Sequence, residues 1–211
     1  MQAKGSYGSI KSYVPAKGSP RFRQAMKDLV FGADREYMKG KEIITVETLS
    51  GTGALSIGFG FIRKYLPRLI YVSEPTWVIH LPVLKDNHLQ FKYYPYYNPS
   101  TKGLEVEKMI EFFEQADEGS IVLLQACAHN PTGVDPDREE WKKIVEAMKK
   151  KKLIPFIDLA YQGLATRDLD KDVWLIRHFA EEGFELFVAQ SLAKNFGLYG
   201  ERIGALHIVA R

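Results

Sequence analysis

Seven short runs rich in β-branched and other apolar residues recur along the chain, at 42–48, 69–72, 91–94, 121–124, 154–157, 186–189 and 203–209. Between most of them lie stretches whose apolar residues recur at helical spacing. That alternation predicts an α/β fold, a mostly parallel seven-stranded sheet flanked by helices, because parallel neighbours need a crossover long enough to hold a helix. Helices are predicted over 20–31, 53–65, 104–115 and 171–182. The clearest one begins at Asp135-Pro136-Asp137 and ends near Lys151. There an aspartate suits the cap, a proline the first helical position, and a second acid the positive end of the dipole. Residues 96–103, with Asn98-Pro99-Ser100, are expected to form a loop.

The 211 residues, 45% of them hydrophobic, suffice for one domain with a substantial core. Twenty-nine basic residues against 26 acidic ones leave a formal charge of +3, too weak a field to recruit nucleic acid or an anionic membrane. The one basic run, Lys149 to Lys152, follows the amphipathic set Trp141, Ile144, Val145 and Met148. Four cations there complement a helix C-terminus. A single cysteine, Cys127, cannot form an intramolecular disulfide, which suits a reducing compartment. With no apolar run of membrane-spanning length, a soluble, cytoplasmic protein is expected, a mitochondrial one being also open.

In open sheets of this kind ligands sit outside the carboxyl ends of the strands, so polar residues just past each run are the first candidates. Lys194 follows the run at 186–189, where partial desolvation would favour a neutral amine able to attack an aldehyde; an ordinary surface lysine is the plain alternative. Asp158 follows Ile154-Pro155-Phe156-Ile157, and a carboxylate there must face a cavity, pair with a cation, or cap the next segment. Ser50-Gly51-Thr52-Gly53, between a strand and a helix, offers backbone N–H groups and a positive helix end to a phosphate, or is simply a turn. Trp77 suits either the core or the face of an aromatic ligand. His80 has no second histidine or cysteine at metal-binding spacing, so no metal site is expected.

These motifs in order resemble those of the class I aminotransferases, the aspartate aminotransferases in particular. The likeness runs from about Tyr13 to the end. It is carried most strongly by Ser191-Leu192-Ala193-Lys194-Asn195-Phe196-Gly197-Leu198-Tyr199-Gly200-Glu201-Arg202-Ile203-Gly204, and further by Ala128-His129-Asn130-Pro131-Thr132-Gly133 and Asp158-Leu159-Ala160-Tyr161-Gln162-Gly163. The resemblance implies pyridoxal 5′-phosphate as cofactor, held as a Schiff base on Lys194, which then shuttles a proton between the substrate Cα and the cofactor. It also implies a pairing of Asp158 with the pyridine nitrogen and contacts from Asn130 and Tyr161 to the phenolic oxygen. Trp77 would stack on the ring, His80 would support Asp158, and Ser50, Gly51, Thr52, Ser191 and Arg202 would hold the phosphate. Tyr13 would reach the phosphate of a neighbouring subunit in a homodimer with shared active sites.

The implied activity is amino-group transfer between an amino acid and a 2-oxo acid, aspartate and 2-oxoglutarate in the first instance. Two alternatives stay open: an aromatic-amino-acid aminotransferase of the same subgroup, and a fragment that binds cofactor or dimerises without turnover. Residues 1–211 are expected to be the cofactor-binding large domain, without the family's N-terminal arm and C-terminal small domain. Two positions depart from the pattern. Ala193 stands where a second phosphate-binding serine is usual, a loss of about 0.5–3 kcal/mol of cofactor affinity. Ile79 stands in place of an asparagine beside His80.

Overall fold

The computed structural model describes residues 13–34 and 36–210. Nine strands, β1 (Glu42–Leu49), β2 (Ile70–Glu74), β3 (Phe91–Pro95), β4 (Tyr97–Asn98), β5 (Gly103–Leu104), β6 (Ile121–Gln125), β7 (Ile154–Leu159), β8 (Leu186–Ser191) and β9 (Ile203–Ala210), are interleaved with helices among them. The helices are α1 (Pro20–Phe31), α2 (Ser50–Tyr65), α3 (His80–Asp86), α4 (Val106–Gln115), α5 (Arg138–Lys150), α6 (Leu169–Asp172) and α7 (Trp174–Glu181), with a short 3-10 turn at Glu36–Met38. All seven expected strands form and join one sheet in the order β1-β9-β8-β7-β6-β2-β3. Its ladders are parallel except where β9 meets β1 and β8.

Every residue of β6 and β8 is buried, and all but the first of β7, which is why these runs are continuously apolar rather than alternating. One face packs Val122, Leu124, Ile157 and Val188 beneath Phe31 of α1, Phe113 of α4, Trp141 and Met148 of α5, and Phe179 of α7. The other packs Ile121, Leu123, Phe156 and Phe187 beneath Leu55, Phe59 and Ile62 of α2 and Leu84 of α3. The four apolar residues expected on the face of α5 are all buried. The basic run that ends it makes ion pairs across the surface, Lys149 with Glu182, Lys150 with Glu114 and Lys152 with Glu118.

Several elements differ from expectation, beginning with α2, which starts at Ser50 rather than at 53, and α4, which starts at Val106 rather than at 104. α5 starts at Arg138, because Asp137 rather than Asp135 caps it: Asp137 Oδ1 accepts from the N–H groups of Glu139 and Glu140, and Glu140 reaches back to the Asp137 N–H. Asp135 is used elsewhere, its carboxylate accepting from the Ala128 and His129 N–H groups at 2.6 and 2.9 Å. The helix expected at 171–182 is two, broken at Val173 beside Asp172. The buried Asp172 carboxylate accepts from the backbone of Gly163, Ala165 and Thr166 and from the Thr166 hydroxyl. The segment at 96–103 contains β4 and begins β5, a small hairpin. α3 was not anticipated: seven residues with Pro82 in the first turn are too few to show a period.

A buried polar chain crosses the sheet from β1. The Thr45 hydroxyl lies 2.9 Å from His207 Nδ1, His207 Nε2 lies 2.9 Å from Gln190 Oε1, and Gln190 Nε2 donates to Gln162 Oε1 at 3.5 Å. Gln162 Nε2 ends the chain on the Leu29 carbonyl of α1 at 2.9 Å. Since Gln190 donates onward, its Oε1 accepts from His207 Nε2–H. Burial keeps the imidazole neutral, so with the proton on Nε2 the Nδ1 atom accepts from the Thr45 hydroxyl. Burial pushes the His207 pKa down to about 3, and it pushes that of buried His129 down to about 4, with a smaller contribution from His80.

An unfolded histidine titrates near 6.5, so below that pH the unfolded chain binds protons that the folded chain refuses. This contribution to stability is therefore full above about pH 6.5 and is lost progressively as the pH falls through 4 towards 3. Urea unfolding should show a lower midpoint at about pH 5 than at about pH 7.5, by up to about 1.4 kcal/mol per pH unit for each histidine, and His207→Gln should flatten the slope. A midpoint that stays level across that range contradicts the assignment.

Candidate active site

The parallel strands and β1 all end at one edge of the sheet, and antiparallel β9 begins there, with Leu49 opposite Ile203 and Ser191 opposite Gly204. One topological fact thus brings together residues far apart in sequence. A cleft along this edge is lined by Ser50, Gly51, Thr52, Trp77, Gln125, Asn130, Asp158, Ala160, Ser191, Ala193, Lys194, Tyr199 and Arg202. Of the twelve residues picked from sequence, nine lie in this lining, and Tyr161 and His80 touch it from the side and from behind. Tyr13 does not: it is fully exposed on its own chain.

The half-buried Lys194 places Nζ 4.5 Å from the centre of the Tyr161 ring and 6.0 Å from that of Trp77, with no carboxylate in ion-pair range among the described residues. Asp158, buried at the end of β7, is held from behind. His80 Nε2 lies 3.0 Å from its Oδ2, and His80 Nδ1 lies 2.8 Å from the Thr76 hydroxyl. Trp77 stands edge-on to His80, with ring centres 5.3 Å apart. Asp158 Oδ1 takes no hydrogen bond from the described residues and so is open to the cleft.

At the other end of the cleft α2 begins. Ser50 Oγ and Ser191 Oγ are 3.0 Å apart, and Ser191 Oγ also accepts from the Ala193 N–H. Gly51 packs closely against Ser191: a Cβ there would stand 3.1 Å from that of Ser191. The Arg202 guanidinium is exposed on the rim, its Nη1 donating to the Tyr199 carbonyl. Ser50 and Arg202 both adopt left-handed backbone, φ +61° and +58°, which non-glycine residues hold only where the surroundings force it. Ser50 is forced by its fit against β9, since a Cβ on Gly204 would lie within 2.8 Å of two Ser50 backbone carbons and 2.4 Å from the Gln190 carbonyl oxygen. Next to Lys194, Asn195 buries both side-chain amide atoms without a partner among the described residues.

Gln125 is the main residue that the sequence reading passed over. It ends β6 directly opposite Asp158, and the rule that led to Asp158, a polar residue closing a buried apolar run, points to it equally.

Solved structures place the chain among α/β enzymes of one architecture. It superposes with a TM-score of 0.92 on the aspartate aminotransferase from Saccharomyces cerevisiae cytoplasm, 40% identical over 96% of this chain and 50% of that one. An aromatic amino acid aminotransferase from Burkholderia cenocepacia gives the same TM-score and identity, over 96% and 51%. The model of the family described as aminotransferase class I and II matches residues 1–211, and the chain belongs to that family. The cytoplasmic aspartate aminotransferase of Dictyostelium discoideum is 50% identical over 205 residues, 96% of this chain and 47% of that protein. The chain spans about half the length of the curated relatives it matches.

Substituting Gly204→Ala should displace the start of α2 and lower stability by about 1–3 kcal/mol, read from urea unfolding. Gly200→Ala, where nothing lies within 4 Å of the added carbon, should leave the midpoint nearly unchanged.

Proposed function

We propose that the cleft binds pyridoxal 5′-phosphate and that the chain is the cofactor-binding large domain of an aminotransferase acting on aspartate and 2-oxoglutarate. The observation that carries this reading is the pairing, in one cleft, of a half-buried lysine free of carboxylate partners with a buried aspartate whose one free oxygen faces the same space. The far end fits a phosphate. The first turn of a 16-residue helix, two hydroxyls and a guanidinium offer donors, and the missing Cβ of Gly51 keeps the lining beside Ser191 open.

When bound, the cofactor supplies an aldehyde that captures amino groups and a ring that draws electron density from the carbon beside them. Lys194, with Nζ in the cleft between the Tyr161 and Trp77 rings, would hold the cofactor through that aldehyde carbon. The same amine would carry a proton between the substrate Cα and the cofactor. Asp158 would keep a proton on the ring nitrogen, and His80 and Thr76 fix the carboxylate for that role. Asn130 and Tyr161 would donate to the phenolic oxygen, and Trp77 would cover the ring face and keep water off it. Ser50, Gly51, Thr52, Ser191 and Arg202 would bind the phosphate. Tyr13, exposed on its own chain, would reach the phosphate of a second copy, so the working form is a homodimer with shared sites. A cytoplasmic setting agrees with the lone, buried Cys127 and with the cytoplasmic relative from Dictyostelium discoideum.

Adding pyridoxal 5′-phosphate to the purified 211-residue chain should produce the absorbance band of a lysine-bound cofactor, and Lys194→Ala should abolish it. Aspartate should then change the band, and turnover by the variant should fall by at least about 10²–10⁴-fold. Absence of any band in the unaltered chain defeats the reading. A band that phenylalanine changes and aspartate does not would assign the chain to the aromatic subgroup, the reading favoured by its likeness to the Burkholderia cenocepacia enzyme.

A further inference from the structure

Gln125 spends both ends of its side-chain amide on one residue. Its Oε1 accepts from the Asn130 backbone N–H at 2.8 Å, and its Nε2 donates to the Asn130 carbonyl oxygen at 2.9 Å. Few side chains can do this: a carboxylate lacks the donor, an ammonium lacks the acceptor, and an aliphatic chain lacks both. Gln125 is 8% exposed and closes β6, a rigid central strand, so the clamp is anchored to the sheet rather than to the loop. The loop is tied from its other side as well, by Asp135 on the Ala128 and His129 N–H groups and by His129 between Ser73 and Thr132. The backbone of Asn130 is therefore held at both of its polar atoms, and Asn130 lines the cleft.

We propose that Gln125 is a positioning residue for the reaction. By clamping the Asn130 backbone it aims the Asn130 side-chain amide at the phenolic oxygen of the cofactor, and so sets the pH at which the cofactor–Lys194 linkage loses its proton. This rests on the pyridoxal 5′-phosphate reading above. The physical link is charge. An N–H donated to the phenolic oxygen draws off negative charge that would otherwise hold the proton on the neighbouring linkage nitrogen. When Asn130 is no longer aimed, that charge returns and the proton is held to higher pH.

The test is a spectroscopic pH titration of the bound-cofactor band in the full chain, together with the dissociation constant for pyridoxal 5′-phosphate. Gln125→Met and Gln125→Leu are both uncharged and remove both bonds, so the result does not depend on one variant folding. Each should raise the titration midpoint by about one pH unit and weaken cofactor binding several-fold. Asn130→Ala should move the midpoint the same way, and adding Gln125→Met to it should produce no further shift, because the clamp then has nothing left to aim. A midpoint that Asn130→Ala moves but neither Gln125 variant does overturns the proposal and leaves the cofactor reading intact. So does a double variant whose shift is the sum of the singles. A wild-type chain without a band overturns both.

Discussion

Burial of the sheet on both faces is the constraint from which the rest of the structure follows. With helices packed above and below β6, β7 and β8, a polar side chain inside those strands would have no water and few partners. Polar chemistry is therefore pushed to the strand ends, and parallel pairing puts those ends on one edge. The antiparallel insertion of β9 adds to this, because its first residues arrive where its neighbours finish, which brings Arg202 to the cleft holding Ser50 and Ser191.

The same burial dictates how several polar residues near the cleft are supported. Asp158 is backed by His80 and Thr76, Asn130 by Gln125, and the turn after Tyr161 by the buried carboxylate of Asp172. Further in, Thr45, His207, Gln190 and Gln162 satisfy one another in a row, so no member is left unpaired at the usual cost of about 1–3 kcal/mol. Rigid support from the sheet is what lets Ser50 and Arg202 keep left-handed backbone conformations that an isolated chain would leave.

Much of this was legible in the residues. The apolar runs gave seven strands with ends accurate to within two residues, since a doubly buried strand leaves an unbroken hydrophobic signal. Residues placed just past those runs, Ser50, Asp158, Ser191 and Lys194, meet in the cleft as expected. What escaped was of two kinds. α3 and the β4–β5 hairpin are too short to carry a period, and the roles of Asp135 and Asp172 depend on backbone N–H groups that come from other turns. Gln125 escaped differently: its type and position were visible, but its partnership with the Asn130 backbone was not.

Local patterning by itself determined the class of fold, the strand edge where ligands belong and the residue types offered there, because period and polarity are properties of adjacent residues. Tertiary structure alone decided which of those residues face one another. Lys194 lies beside Tyr161 because β8 pairs with β7, and Gly51 lies beside Ser191 and Gly204 under Ser50 only once β9 has threaded between β1 and β8. Those distances are set by strand order and register, which sum contacts over the whole chain and leave no mark at any single position in the sequence.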